Sequence, residues 1–219
     1  MILTLIFGSL GILGGLLTCA ADILLDSKGK DNVKKGKYGF IDSAWDHMDL
    51  RRFPASIFLA LLGTPLLFLG FTAMAGQLLA ARETFGKAFW YVAMVSCTSG
   101  SFIHTIICLL PVIYKTMTKK HSPEDAEEVL NAVYRAVAVP FWILYLLLTL
   151  GTSGMIIWAI CFDYLRLSPA WILLTFPVLE LTGLVLEKVR HDWFYDFPHI
   201  LMPTLSLGLV GLLAILNTL

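Results

Sequence analysis

The chain has 219 residues, 58% of them hydrophobic and only 15% charged, with a mean hydropathy of +0.78 and a formal net charge of zero. A soluble domain carries charge on about a quarter of its residues, so this composition excludes an ordinary water-soluble fold. It also excludes a nucleic-acid surface, because the basic residues are interleaved with acids and sit beside apolar runs.

Six apolar segments run roughly over 1–25, 54–81, 87–114, 136–161, 169–187 and 199–217. A helix of about twenty apolar residues crosses a hydrocarbon core of about 30 Å. Lipid leaves no backbone polar group satisfied outside a helix or closed barrel, and the strand alternation of a barrel is absent. The predicted fold is all-α: a polytopic membrane bundle of six transmembrane helices, one integral domain over 1–219. Thirteen of the sixteen Lys and Arg residues fall in the first, third and fifth gaps; Arg82, Lys87 and Arg166 occupy the others. Basic residues near span ends remain cytoplasmic, which places the odd gaps inside and both termini outside the cytoplasm of a cell inner membrane.

The first segment has no basic n-region and is too long for the apolar core of a signal peptide, so it reads as an uncleaved span. Gly8, Gly11, Gly15, Thr18 and Asp22 recur at helical steps and form a small-residue face ending in a carboxylate. Such a face packs against neighbouring helices. In the connection 26–53, the Lys- and Gly-rich first half reads as a solvated, mobile loop. The second half, with Trp45, Met48, Leu50 and Phe53, reads as a short interfacial helix before the second span.

Gly63, Pro65 and Gly70 predict a kink in the second span. The third carries Ala93, Cys97, Gly100 and His104 on one face. Ser122, Pro123 and the acids that follow predict a capped helix running into the fourth span, with a bend before Pro140. Pro177 predicts a bend just before Glu180 in the fifth, and Trp193, Phe194, Tyr195 and Phe197 form an aromatic interface belt. The sixth begins at Pro198 and His199. The four cysteines lack paired spacing and read as packing residues. No internal repeat suggests an inverted-repeat transporter.

Asp22, His104 and Glu180 fall within predicted spans, and Glu187 and His199 at the inner boundary. Ionisable groups at membrane depth are costly and default to function. Asp22, His104 and Glu180 are the candidate acid–base groups, gathered toward the cytoplasmic leaflet. Interhelical hydrogen bonding, such as Asp22 with His104, is the structural reading of the same residues. Trp45, Arg51, Glu187 and His199 are the candidate ligand contacts, with Arg51 and Arg52 suited to lipid phosphate. Metal spacing is weak: no HExxH, HxxxH or CxxC occurs, and Asp22, His104 and His199 would be the sole mononuclear set. No metal or other cofactor is expected. Ser96, Ser99 and Ser101 lack a nucleophile elbow and read as packing serines.

Gly-Gly before Ala-Asp-Ile-Leu-Leu at 14–25, Trp45, Arg-Phe-Pro-Ala-Ser with Leu-Gly-Thr-Pro-Leu at 51–66, and Gly-Ser-Phe-Ile-His at 100–104 carry a resemblance. These stretches, in the first half of the chain, resemble an uncharacterised family of bacterial multi-span membrane proteins, a domain of unknown function. The resemblance implies a helical membrane fold and a bacterial source, and no activity. Three functions compete: an acid–base enzyme acting on a lipid or isoprenoid, a small-solute or proton-coupled carrier or lipid-binding protein, and a structural accessory subunit. The expected partners are membrane lipid and a lipid-like or small apolar ligand, not nucleic acid.

Overall fold

A computed structural model describes residues 1–195 and 197–219, with the side chains of Phe197 and His199 outside the description. The described chain is all-α apart from one two-residue ladder. Its long helices are α1 (Ile2–Asp26), α2 (Arg52–Ala81), α3 (Glu83–Met117) and α4 (Pro123–Leu146). A π-helical turn, Leu147–Gly151, joins α4 to α5 (Thr152–Cys161). After a 3-10 stretch, Pro169–Leu174, come α6 (Phe176–Val189), the short α7 (His191–Phe194), a π-helical turn over Phe197–Leu201, and α8 (Met202–Leu216). Four helices are long and apolar enough to cross a membrane: α1, α2, α3 and the continuous α4–α5 unit.

The fifth and sixth predicted spans differ from expectation. The fifth divides at Thr175, whose extended backbone separates the 3-10 stretch from the 14-residue α6. Pro177 lies in the first turn of α6 and starts that helix instead of bending one, because its missing N–H is among the donors left unpaired there anyway. The sixth is a 15-residue helix preceded by the π-helical turn.

Glycines set the packing. A Cβ on Gly11 would strike the Gly70 backbone of α2, and one on Gly15 the Gly208 backbone of α8. Gly14 meets α2 at Leu67 and Gly63, and Gly8 meets α8 at Gly211. Helix α1 is thus clasped antiparallel between two neighbours at backbone distance, a closeness that any larger side chain prevents. Its other face exposes Ile2, Leu3, Ile6, Leu13 and Leu16. Small residues inward and large apolar residues outward is the reverse of a water-soluble helix. Helix α2 runs unbroken through Pro65. Helix α4 opens as its sequence dictates: Ser122 Oγ accepts from Asp125 N–H (3.1 Å), and Asp125 Oδ2 accepts from Ser122 N–H (3.2 Å), a closed capping box. The irregularity expected before Pro140 appears about two to three turns after it, as the π turn Leu147–Gly151.

The connection 27–51 corrects two expectations. Strands β1 (Lys34–Lys35) and β2 (Ile41–Asp42) pair antiparallel, and a 3-10 turn, Ser43–Asp46, stands where an interfacial helix was expected. Asp42 organises this segment instead of leaving it loose. Its buried carboxylate meets Lys28 (3.0 Å), Lys34 (2.8 Å) and Asn32 (2.7 Å). Ile41, Trp45, Met48 and Phe53 join Leu25, Cys108, Tyr114 and Leu130 in an apolar cluster that closes this end of the bundle.

Contacts link the connections at each end. Lys115 of α3 donates to Met48 O (2.6 Å), and Lys30 pairs with Asp192 (3.2 Å), so the first, third and fifth gaps share one end. At the other, Arg82 lies over the Tyr164 ring, Asn217 donates to Gln77 (2.6 Å), and Arg166 N–H donates to Asn217.

Candidate functional site

Helices α1, α2, α3, α4, α6 and α8 leave a cavity of about 570 Å³ between them. Its walls are mostly apolar, and Thr18, Asp22, Ser96, Gly100, His104, Tyr145 and Glu180 reach it. Leu148, Thr149 and Leu150 of the π turn also line it. A π turn widens the helix and leaves carbonyls less committed, a feature frequent beside functional sites. The cavity adjoins a smaller cleft of about 230 Å³ at the basic end, sharing Leu25, Asp26 and Ile107 with it.

The helical spacing that places Thr18 on the buried face of α1 also carries Asp22 into this space, one turn further on. Ala93, Cys97 and Gly100 bring His104 in the same way from α3. The two side chains meet, His104 Nδ1 to Asp22 Oδ1 at 3.3 Å, and both are mostly shielded from solvent. On the far side of the ring, His104 Nε2 lies 2.9 Å from Ser56 Oγ.

The protons can be followed. Ser56 has one hydroxyl proton and donates it to Ala21 O (2.7 Å), and its oxygen also accepts from Cys108 Sγ (3.5 Å). Nε2 is therefore the donor toward Ser56 and carries a proton. The remaining proton of the pair lies between Nδ1 and Oδ1, giving imidazolium with carboxylate or a neutral pair. That is an acid–base couple facing a cavity. The order Ser–His–Asp is that of a hydrolase triad, but Ser56 is wholly buried, fully hydrogen-bonded and not on the cavity wall. It orients the imidazole and has no route to a substrate.

A family profile matches residues 2–219. The chain belongs to DUF6796, a family of unknown function. No curated protein and no solved structure matches it.

Glu180 stands on the α6 side of the cavity, one turn beyond Phe176. Glu187, two turns later, faces His191 Nδ1 (3.7 Å) at the start of α7 and does not line the cavity. Trp45 is buried against Tyr114 (centroids 5.8 Å) and borders the smaller cleft, not the larger cavity. Arg51 is exposed. Arg52 donates to Leu24 O (3.0 Å), Ile23 O (3.2 Å) and Ser27 O (3.0 Å), so it caps the carbonyl end of α1. The side chain of His199 falls outside the described residues, and with it the three-ligand metal set. Among the described residues no three His, Cys, Asp or Glu side chains converge.

Sequence reasoning missed Ser56 and Tyr145. Ser56 could have been found from α2, where Ser56, Ala60, Gly63, Thr64 and Leu67 recur at helical steps and are buried. Tyr145 follows Phe141 by one turn and stacks on it (5.8 Å), a pairing that four-residue spacing predicts. Outside the helices, burial pushes the Asp42 carboxyl up, but the hydrogen bond from Lys34 and the charge of Lys28 outweigh burial and hold it below the usual carboxylate range. Burial lowers Lys28, and Asp26 and Asp42 more than reverse this.

Proposed function

We propose that the chain is a multi-pass inner-membrane protein that holds a lipid-like or small apolar ligand in a pocket of the cytoplasmic leaflet. Asp22 and His104 form the polar end of that pocket and exchange a proton with what it holds. In this reading the chain is one integral domain that crosses six times, both termini outside the cytoplasm. Four crossings are long helices. For the fifth, 14 residues of α6 span about 21 Å and the 3-10 stretch adds about 12 Å. The sixth combines α8 with the π-helical turn before it. Outward-facing large apolar side chains support a lipid environment, and the basic residues near one end support its cytoplasmic assignment.

The observation that carries the reading is the Asp22–His104 pair on the wall of an otherwise mostly apolar cavity. A volume of about 570 Å³ lies within the range of about 300–1,000 Å³ typical of small-molecule sites. A purely structural bundle would pack dry at this position. An acid–base enzyme is the second reading, favoured by the proton between Nδ1 and Oδ1, with Glu180 as a further carboxyl on the cavity.

Gly100 supplies the test, since a Cβ there meets nothing within 4 Å. Gly100→Phe should fill the cavity without disturbing a helix contact. A neutral brominated long-chain alcohol, titrated into the protein in lipid nanodiscs, should quench tryptophan fluorescence saturably in the wild type. In Gly100→Phe only the linear quenching of bulk partitioning should remain. Identical curves would contradict the proposal.

A further inference from the structure

The class of ligand follows from what the cavity offers and what it lacks, given the pocket proposed above. Among the described residues no Lys or Arg lines it, whereas Asp22, Asp26 and Glu180 do, against the one imidazole of His104. Asp26 is already paired with Lys28 (2.7 Å), and a phosphate or carboxylate headgroup would bring negative charge beside Asp22 and Glu180, with no guanidinium or ammonium among the lining residues to receive it.

One wall is aromatic. Phe141 stacks on Tyr145 at 5.8 Å between centroids, Trp142 meets Tyr145 edge-on at 6.1 Å, and Phe176 approaches the same ring from α6 at 6.4 Å. All four rings line the cavity, with Glu180 one turn beyond Phe176. Ring faces attract cations, most strongly where water is excluded.

Ser96 adds an independent observation. It lines the cavity and is 1% exposed, yet its hydroxyl makes no hydrogen bond among the described residues. Thr18, Thr64, Thr105 and Thr149 instead turn theirs onto carbonyls of their own helices. A buried hydroxyl without a partner is unfavourable unless something else occupies its site.

We infer that the pocket takes a lipophilic cation, an amphiphilic amine or onium. Its charge sits between the aromatic wall and the carboxyl groups, and its apolar part fills the remainder. A lipid bearing a phosphate is the ligand this wall rejects.

Tetraphenylphosphonium and tetraphenylborate share a shape and differ in the sign of charge. Binding of each would be measured by equilibrium dialysis on nanodiscs of zwitterionic lipid. Uptake by discs carrying Gly100→Phe is subtracted, which removes bulk partitioning. The phosphonium should show a saturable component at least tenfold tighter than the borate. Glu180→Gln should weaken it about tenfold, and Phe176→Leu, which trims the wall without touching a carboxyl, severalfold. Borate binding as tight or tighter, or phosphonium binding indifferent to both substitutions, would overturn the inference. Saturable uptake of the neutral alcohol with neither ion bound would leave the pocket standing and remove the cation. No difference between wild type and Gly100→Phe for any of the three probes would remove both.

Discussion

Both ring nitrogens of His104 are engaged, one by Asp22 and one by Ser56, so a change at either partner reads out on the ring. In Asp22→Asn the amide N–H₂ becomes a donor to Nδ1, and the imidazole should settle as the neutral Nε2–H tautomer. Nitrogen-15 shifts of labelled histidine would show Nδ1 as a plain acceptor in the variant, in place of the proton it shares with Asp22 in the wild type. An unchanged ring spectrum would mean that Asp22 does not govern it. His104→Ala should cost more than Asp22→Asn, about 2 kcal/mol, because it strands the buried Asp22 carboxyl and leaves a cavity where the ring stood. Asp42 is a separate case, held below the usual carboxylate range by Lys34 and Lys28. A lowered folded value contributes stability above the unfolded value and loses it as pH falls through the folded one. The 27–51 segment should therefore resist proteolysis at neutral pH and open only once the pH falls below the ordinary Asp value of about 4 and through the lower value of folded Asp42, while Asp42→Asn should leave it cleavable at both. Asp22 and His104 were legible because each ends a stripe of small residues that has to face inward. Ser56 was legible only as a residue of the buried face of α2, and its bond to His104 was not, since hydroxyls in apolar helices mostly bond back to their own turn and no spacing rule points across to another helix.

Among the elements, α1 is the one whose sequence most constrains the packing. Gly11→Leu and Gly15→Leu should each lower thermal stability, by about 1–3 kcal/mol or more, because they drive side chains into the backbones at Gly70 and Gly208. Gly76→Ala is the matched control, with nothing within 4 Å of its added Cβ, and should be neutral or slightly stabilising. Equal losses in all three would mean that the glycines do not act through close approach. The capped start of α4 was equally legible, because a capping box is a local code. Pro177 was misread for a physical reason: proline fits both a kink and a first helical turn, and only the extended Thr175 before it decides. The 26–53 connection was misread because lysine-rich sequence looks solvated until a buried carboxylate collects the lysines.

For the molecule as a whole, the alternation of basic gaps in the sequence matches contacts that tie those gaps together at one end. Reporter fusions after Lys30 and at Leu219 should place the first in the cytoplasm and the second outside it. The reverse pattern would invert the map and move the cavity to the other leaflet. Four passages were legible from hydropathy and stand as helices long and apolar enough to cross, whereas the fifth and sixth predicted spans are helices of 14 and 15 residues. Where the chain breaks at Thr175 and at the π turn before α8 depends on what α6 and α8 pack against. The central claim, a pocket occupied from the bilayer, is tested most directly by native mass spectrometry of the protein released from its own membranes. Wild type should carry one small adduct of constant mass that gentle activation removes, and Gly100→Phe should fly without it. The same adduct on both, or none on either, would contradict the account.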